Sequence, residues 1–473
     1  MFAFEKTSPE SQGIPSEAIR SFAERLAKMD AIHSFMLVRH DKLIAEAWWK
    51  PFKKEYKHEL FSCSKSFVSI ACGIAQGEGL LSLNDRIVSF FPDKMSEKVS
   101  ERMKKATIKN LLTMSSGHNA CPLAAGTVSL HQDWVKAFLE SELAYEPGEK
   151  FVYNSAATYM VSAILRRVTG RNVLDYLNEK LLPFIGINAD KWDCCPAGTN
   201  IGGWGFWLKT EDMLRFCRLL KNQGNWDGKQ LVPADYIAEA TSFQIDNSSN
   251  NDPDWKIGYG YQFWQTTFNS FRGDGACSQY MLVMPEQDLY MAVTSGVANM
   301  QKILTAFWET VIPALQAKPL PENPESFSTL TETLSTLEHK PLANDLRFVI
   351  PDAEYSVDTN SAGLQKLKIN PTANGCEITF CWTDNSFEKM RADYGRHTHN
   401  ILQLLENEMR IIEASCTWSN ENTLVIQAYS VETPYRDRYI LTFSNDEINL
   451  ARESNFSFLH AELPTVHGTE IKN

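Results

Sequence analysis

No stretch of this 473-residue chain approaches the roughly 18 to 20 apolar residues that a membrane-spanning helix requires. The opening residues Met1-Phe2-Ala3-Phe4-Glu5-Lys6 lack both a basic start and an apolar core, so no signal peptide is expected and cytoplasm is the expected compartment. Basic charge is in deficit. Against 58 Asp and Glu stand 46 Lys and Arg, a formal net of −12, which weighs against a nucleic-acid or anionic-membrane surface. The short runs Lys53-Lys54 and Lys104-Lys105 read as solvated faces. Metal-site spacing is missing as well: Cys194-Cys195 has no second Cys or His pair at zinc distance, and His397-Thr398-His399 stands alone at strand period. Neither a metal nor an organic cofactor is therefore expected. Ten cysteines without an export signal read as reduced thiols rather than a disulfide framework.

What is present is a folded composition, 43% hydrophobic with few low-complexity stretches, in a chain longer than one ordinary domain. Ser62-Cys63-Ser64-Lys65 lies between the polar stretch 53–59 and the apolar run Phe67 to Ile74, so it reads as the first turn of a buried helix. Residues three apart on a helix share a face, about 5 to 6 Å apart at Cβ, so Lys65 can reach Ser62. A serine hydroxyl needs a neighbouring base to act as a nucleophile, and a desolvated lysine can be that base. Ser386-Phe387-Glu388-Lys389 has the same spacing but no helix-length apolar run behind it, and reads as surface. Cys63 points off the nucleophile's face, with packing as its expected role.

Helical spacing is seen at Ile19, Phe22 and Leu26 after the possible cap Ser16, and at Met213, Phe216 and Leu220 after Thr210, with Gly224 as a stop. Met36 to Arg39 with Ile44 to Trp49 form one expected hairpin, and Gln279 to Met284 with Tyr290 to Thr294 another. Three prolines, Pro319, Pro321 and Pro324, mark residues 317–324 as a linker between a domain at 1–316 and one at 325–473. Beyond it, alternating runs at Gln365 to Ile369, Cys376 to Trp382, Met409 to Trp418, Thr423 to Tyr429 and Tyr439 to Phe443 predict an antiparallel β domain, a small barrel or lipocalin-like sheet. Its role is open between shaping a cleft, binding a ligand and holding a homodimer.

Several landmarks in order give the chain a resemblance over residues 8 to 300. They are Glu10-Ser11-Gln12-Gly13-Ile14, Phe35 to Lys42, Gly79 to Asp85, Thr107 to Gly117, Glu146-Pro147-Gly148 before Tyr153-Asn154-Ser155, Gly202-Gly203-Trp204-Gly205 and Tyr259-Gly260-Tyr261. With the Ser62 tetrapeptide, this pattern resembles the serine β-lactamase-like family of class C β-lactamases, DD-peptidases, family VIII carboxylesterases and nylon-oligomer hydrolases. The resemblance implies an α/β sandwich of the β-lactamase/transpeptidase type, an antiparallel sheet with a helical lobe, here followed by the C-terminal β domain. It implies Ser62, Lys65 and Tyr153 as catalytic residues, Tyr153 preceding a helix expected over Ala156 to Val168. A phenol beside a cation can share its proton with it, so the residues leave open whether Lys65 or Tyr153 is the general base. Ser155 stands where the family's second motif usually has Asn.

The family's third motif is a Lys-Thr-Gly or His-Thr-Gly strand, and here that strand reads Gly273-Asp274-Gly275. Alternate strand residues share a face, so Gly273 and Gly275 point one way and Arg272, Asp274 and Ala276 the other, and Arg272 does not simply replace the lysine. Without that cation, free carboxylates are poor handles. The two glycines are expected to let substrate approach the backbone closely. By resemblance, the backbone N–H groups of Ser62 and Ala276 form the oxyanion hole. Together these imply a serine hydrolase that cleaves small uncharged esters or amides through an acyl-enzyme. A D-aminopeptidase-like amidase, with Asp274 receiving an amine, is the first alternative and a weak β-lactamase the next. A catalytically silent binding or sensing module, favoured by the departures at Ser155 and Gly273, is the alternative from another class.

Overall fold

The computed structural model describes residues 2–123, 132–403, 408–456 and 463–472, and divides into two compact units. The first comprises residues 1–47 and 57–335. Its seven-stranded sheet is built from β1 (Glu5–Lys6), β2 (Ile32–Arg39), β3 (Lys42–Trp48), β4 (Trp264–Thr266), β5 (Ser270–Gly275), β6 (Gln279–Met284) and β7 (Leu289–Ser295). They run in the order β1-β3-β2-β7-β6-β5-β4, antiparallel except for β1 on β3. Sheet pieces from both ends of the unit thus meet at β2 and β7, where Leu37 faces Met291. β2, β5, β6 and β7 are buried along their whole length, because helices cover the sheet and every side chain meets apolar neighbours.

Helices α1 (Ser16–Ala27), α2 (Ser64–Gly77), α3 (Ser155–Thr169), α4 (Thr210–Lys221), α5 (Gln301–Thr310) and α6 (Pro324–Ser335) are the longest of this unit. α2 is buried at twelve of its fourteen positions, from Ser64 to Ala75, and so forms the spine between sheet and helical lobe. Gly73 lets Tyr236 approach it: a Cβ there would lie 2.3 Å from the ring. Ser16 does not cap α1. It is the first helical residue after Pro15, and its N–H and hydroxyl both donate to the buried Glu10 carboxylate, at 2.7 and 2.9 Å. Gly224 takes φ +80° beyond the end of α4, as its place as a stop predicts.

The segment expected to be a linker is built into the first unit. The Leu320 N–H donates to the Glu10 carbonyl and the Gln316 N–H to that of Gly13, while α6 packs on α1 through buried Leu330. The division therefore falls at residue 335, because one apolar face of 324–335 has a partner in α1 that sequence periodicity alone does not reveal. Residues 48–56 likewise leave the first unit: Lys50 pairs with Leu337 and His339, and Phe52 packs edge-on against Tyr429.

The second unit is a barrel of ten strands: β8 (Ala353–Val357), β9 (Leu364–Thr372), β10 (Gly375–Trp382), β11 (Phe387–Tyr394), β12 (Thr398–Leu402), β13 (Arg410–Asn420), β14 (Thr423–Ser430), β15 (Arg436–Ser444), β16 (Glu447–Ser454) and β17 (Val466–Glu470). A parallel pairing of Asp393 and Tyr394 on β11 with Ser415 and Cys416 on β13 closes the sheet. Its interior is filled by alternate residues such as Leu367, Ile369, Ile378, Phe380, Trp418, Ile426 and Leu441.

Candidate functional site

The site is built on the turn that enters α2. Phe61 takes φ +46°, a left-handed conformation that a bulky aromatic rarely adopts and that clusters at functional sites. A 3-10 turn, Phe61–Cys63, follows and presents half-buried Ser62 beside buried Lys65. The Lys65 ammonium lies 3.0 Å from the Ser62 hydroxyl and donates at 2.6 Å to the Gly203 carbonyl. Burial lowers the Lys65 pKa from 10.5 to about 7, against the opposing pull of Cys121, Asp274 and Cys63. The buried Cys63 thiol donates to the Gln279 carbonyl at 3.3 Å, a packing role that seats the turn on the β5–β6 hairpin.

Tyr153 completes the group. Its ring lies 5.0 Å from the Lys65 ammonium and stacks on Trp264 at 5.5 Å. Burial, with Asp274 adding to it, pushes the phenol well above its ordinary range and outweighs the opposing pull of the nearby Ser62 hydroxyl. Tyr153 is held in place by its neighbour. Asn154 caps α3, its side chain accepting the N–H groups of Ala156 and Ala157 at 3.0 and 3.3 Å. Ser155 is the first residue of α3 and abuts Gly203, where a Cβ would lie 2.9 Å from the Ser155 carbonyl oxygen.

On the opposing strand, the glycines have a packing reason that the sequence does not reveal. A Cβ on Gly273 would meet the Ser66 hydroxyl at 2.7 Å and one on Gly275 would meet the Leu60 carbonyl at 2.2 Å. Both face the segment that carries Ser62 and let it close onto the sheet. Arg272 and Asp274 share the other face and are joined in an ion pair, Nε and Nη2 lying 3.1 and 3.0 Å from one carboxylate oxygen. Burial raises the Asp274 pKa, opposed first by Arg272. Ala276 follows at the half-buried start of the turn to β6.

Sequence reasoning did not single out the Gly203 carbonyl, although its glycine-rich landmark was visible, nor Cys121, whose thiol acts on the charge of both Lys65 and Tyr153. Gln262 was also missed. It ties the site's helices together, accepting from Thr158 at 2.6 Å and donating to the carbonyl of Leu112 at 2.8 Å, while its own carbonyl accepts from Ser66. Ser386, by contrast, is exposed and bonded to Asp384, as its surface context predicts. Among the described residues no group of three or more His, Cys, Asp or Glu is placed to hold a metal, and no helix is long and apolar enough to cross a membrane. All ten cysteines are free thiols.

A turn-borne serine, a buried lysine and a tyrosine between an antiparallel sheet and a helical lobe define the β-lactamase/transpeptidase-like class. The chain belongs to the beta-lactamase family, whose model matches residues 21–301. It is similar to an uncharacterized protein of Alkalihalophilus pseudofirmus, 21% identical over 46% of this chain and 67% of that protein. Its match to protein flp of Staphylococcus aureus, 28% identical, spans 27% of this chain and only 26% of flp. Similar solved structures include one provisionally described as a 6-aminohexanoate-dimer hydrolase from Bacillus anthracis, with TM-score 0.56 and 18% identity over 68% of this chain and 89% of that one. Another is the octameric penicillin-binding protein homologue from Pyrococcus abyssi, with TM-score 0.50 and 15% identity over 95% of this chain and 98% of that one.

Proposed function

We propose that the protein is a serine hydrolase that cleaves small uncharged esters or amides through an acyl-enzyme on Ser62. The observation that carries this reading is the Ser62 hydroxyl 3.0 Å from a lysine amine whose pKa burial lowers to about 7. Near neutral pH much of that amine is free base, within reach of the proton it removes. Ser62 Oγ attacks the carbonyl carbon as Lys65 takes its proton. The oxyanion forms against the backbone N–H groups of Ser62 and Ala276. Tyr153, held as a neutral phenol, relays a proton to the departing alkoxide or amine, and the carbonyl carbon's bond to that group breaks. Water then attacks the ester on Ser62, releases the carboxylic acid and restores the hydroxyl.

The choice of uncharged substrates rests on the Arg272–Asp274 pair. The guanidinium is fully buried and its charge is spent on Asp274, so a substrate carboxylate finds no open cation on that strand. The same pairing leaves Asp274 a poor receiver for an ammonium group, which puts the amine-directed amidase below the neutral ester or amide. Hydrolysis of p-nitrophenyl acetate and butyrate by the parent and by Ser62→Ala tests the reading. Turnover confined to the parent supports it; equal rates in the two proteins reject it.

A further inference from the structure

The loop before β4 carries a built structure that the acyl-transfer chemistry does not use. In the 3-10 turn Pro253–Trp255, the Asp254 carboxylate is buried and accepts the hydroxyls of Thr266 and Thr267, the Thr267 N–H at 3.1 Å, Gln301 at 2.6 Å and the Trp308 indole at 3.0 Å. Its backbone carbonyl accepts Arg272 Nη1 at 2.8 Å. Burial alone would raise this carboxyl, but its donors hold it at about 2, so it stays ionised over any working pH. The Asp254 side chain thus pins the turn to β4 and α5, and its backbone carbonyl ties it to β5.

The residue so fixed is Trp255. Its indole lies over the Arg272 guanidinium at 4.3 Å, favours the charged form of Asp274 and meets Trp264 edge-on at 6.3 Å. Trp264 in turn stacks on Tyr153, whose phenol feels the Ser62 hydroxyl. Tyr153, Trp264 and Trp255 make a continuous aromatic wall that starts at the nucleophile. Trp264 is nearly buried within it, whereas Trp255 keeps part of its surface open. A cation already seated on the indole and a carboxylate beside it cancel each other, so the open surface offers stacking and little net charge.

We propose that Trp255, held in place by Asp254, is a specificity-determining residue that receives a flat, uncharged aryl group of the substrate beside Ser62. Stacking on a rigid indole rewards a planar group and gives nothing comparable to a short alkyl group. Asp254 is a positioning residue here: it touches no substrate and acts by fixing the turn. This inference rests on the serine-hydrolase reading, and the test separates the two.

Binding is measured by calorimetry on the full chain carrying Ser62→Ala, which removes the nucleophile, with 2-naphthyl acetate and ethyl acetate as probes. Adding Trp255→Ala is expected to weaken naphthyl binding about tenfold, the factor given by 1.4 kcal/mol, with a much smaller change for ethyl acetate. Trp255→Phe is expected to restore most of the naphthyl preference, which a merely structural role for the indole would not do. Asp254→Asn, checked for native melting, is expected to lose the preference while the indole is still present. Equal naphthyl affinity with and without Trp255, or equal losses for both probes, overturns the proposal. Equal p-nitrophenyl acetate hydrolysis by the parent and by Ser62→Ala rejects the hydrolase reading instead, whatever the binding data show.

Discussion

Ser62 with Lys65 and Ser386 with Lys389 have the same spacing, and only the first pair is brought together. At the first, a 3-10 turn runs into a buried helix, and the two groups lie 3.0 Å apart. At the second, the chain turns into strand β11, where Ser386 bonds Asp384 and Lys389 pairs with Glu377 at 3.2 Å. Helical geometry brings residues three apart onto one face, and strand geometry does not. Burial makes the second difference: Lys65 is 1% exposed and its pKa falls to about 7, while Lys389 is exposed to water. Spacing becomes chemistry only where the backbone closes the distance and the fold removes solvent.

The sharpest way to break this comparison is at the proton relay proposed through Tyr153 beside the first pair. Tyr153→Phe keeps the stack on Trp264 and removes the hydroxyl, and kcat/KM for p-nitrophenyl butyrate is expected to fall by about 100- to 10,000-fold, the usual worth of a positioned acid–base group. The pH profile sharpens it further. The working form of Lys65 is the free amine, and its pKa lies near 7 in the fold, so kcat/KM is expected to climb with pH through about 7 and level off above it. Asp274 raises that pKa, so in Asp274→Asn the rising limb is expected to shift to lower pH. A limb that stays near pH 10 in the parent contradicts a Lys65 amine that burial makes free base near neutrality.

A smaller effect tests why the turn sits where it does. Gly275→Ala puts a methyl 2.2 Å from the Leu60 carbonyl, and is expected to cost about 1 to 3 kcal/mol in chemical denaturation, with activity falling as the turn is pushed off β5. If the glycine served substrate approach alone, stability would stay at the parent's. The smallest effect belongs to the second pair: Ser386→Ala and Lys389→Ala are expected to change stability by no more than about 0.5 kcal/mol and to leave hydrolysis unchanged.

Much of this was legible in the sequence, for a physical reason in each case. The apolar run after Ser62 marks a buried helix, and alternation in residues 364–443 marks strands, because both patterns are set by which faces meet the core. The reading failed where the partner lay far along the chain. Nothing near Gly273 and Gly275 says that Leu60 and Ser66 crowd against them. The Pro-rich stretch 317–324 reads as a linker until Glu10 is seen to accept the Leu320 N–H, Gly13 that of the preceding Gln316, and α1 to receive α6. Residues 48–56 continue a hairpin by local pattern, and their place in the second unit depends on Leu337, His339 and Tyr429. That burial shifts Lys65 and Tyr153 in opposite senses, the ground for proposing Lys65 as base, was equally hidden.

The central claim is that Ser62 is acylated with help from Lys65, and intact mass spectrometry of the full chain reads it directly. After brief incubation with p-nitrophenyl butyrate and acid quench, the parent is expected to carry one added butyryl group on the peptide that contains Ser62, and Ser62→Ala none. An adduct of the same size on Ser62→Ala, or a parent that releases p-nitrophenol with the label on another residue, contradicts the account.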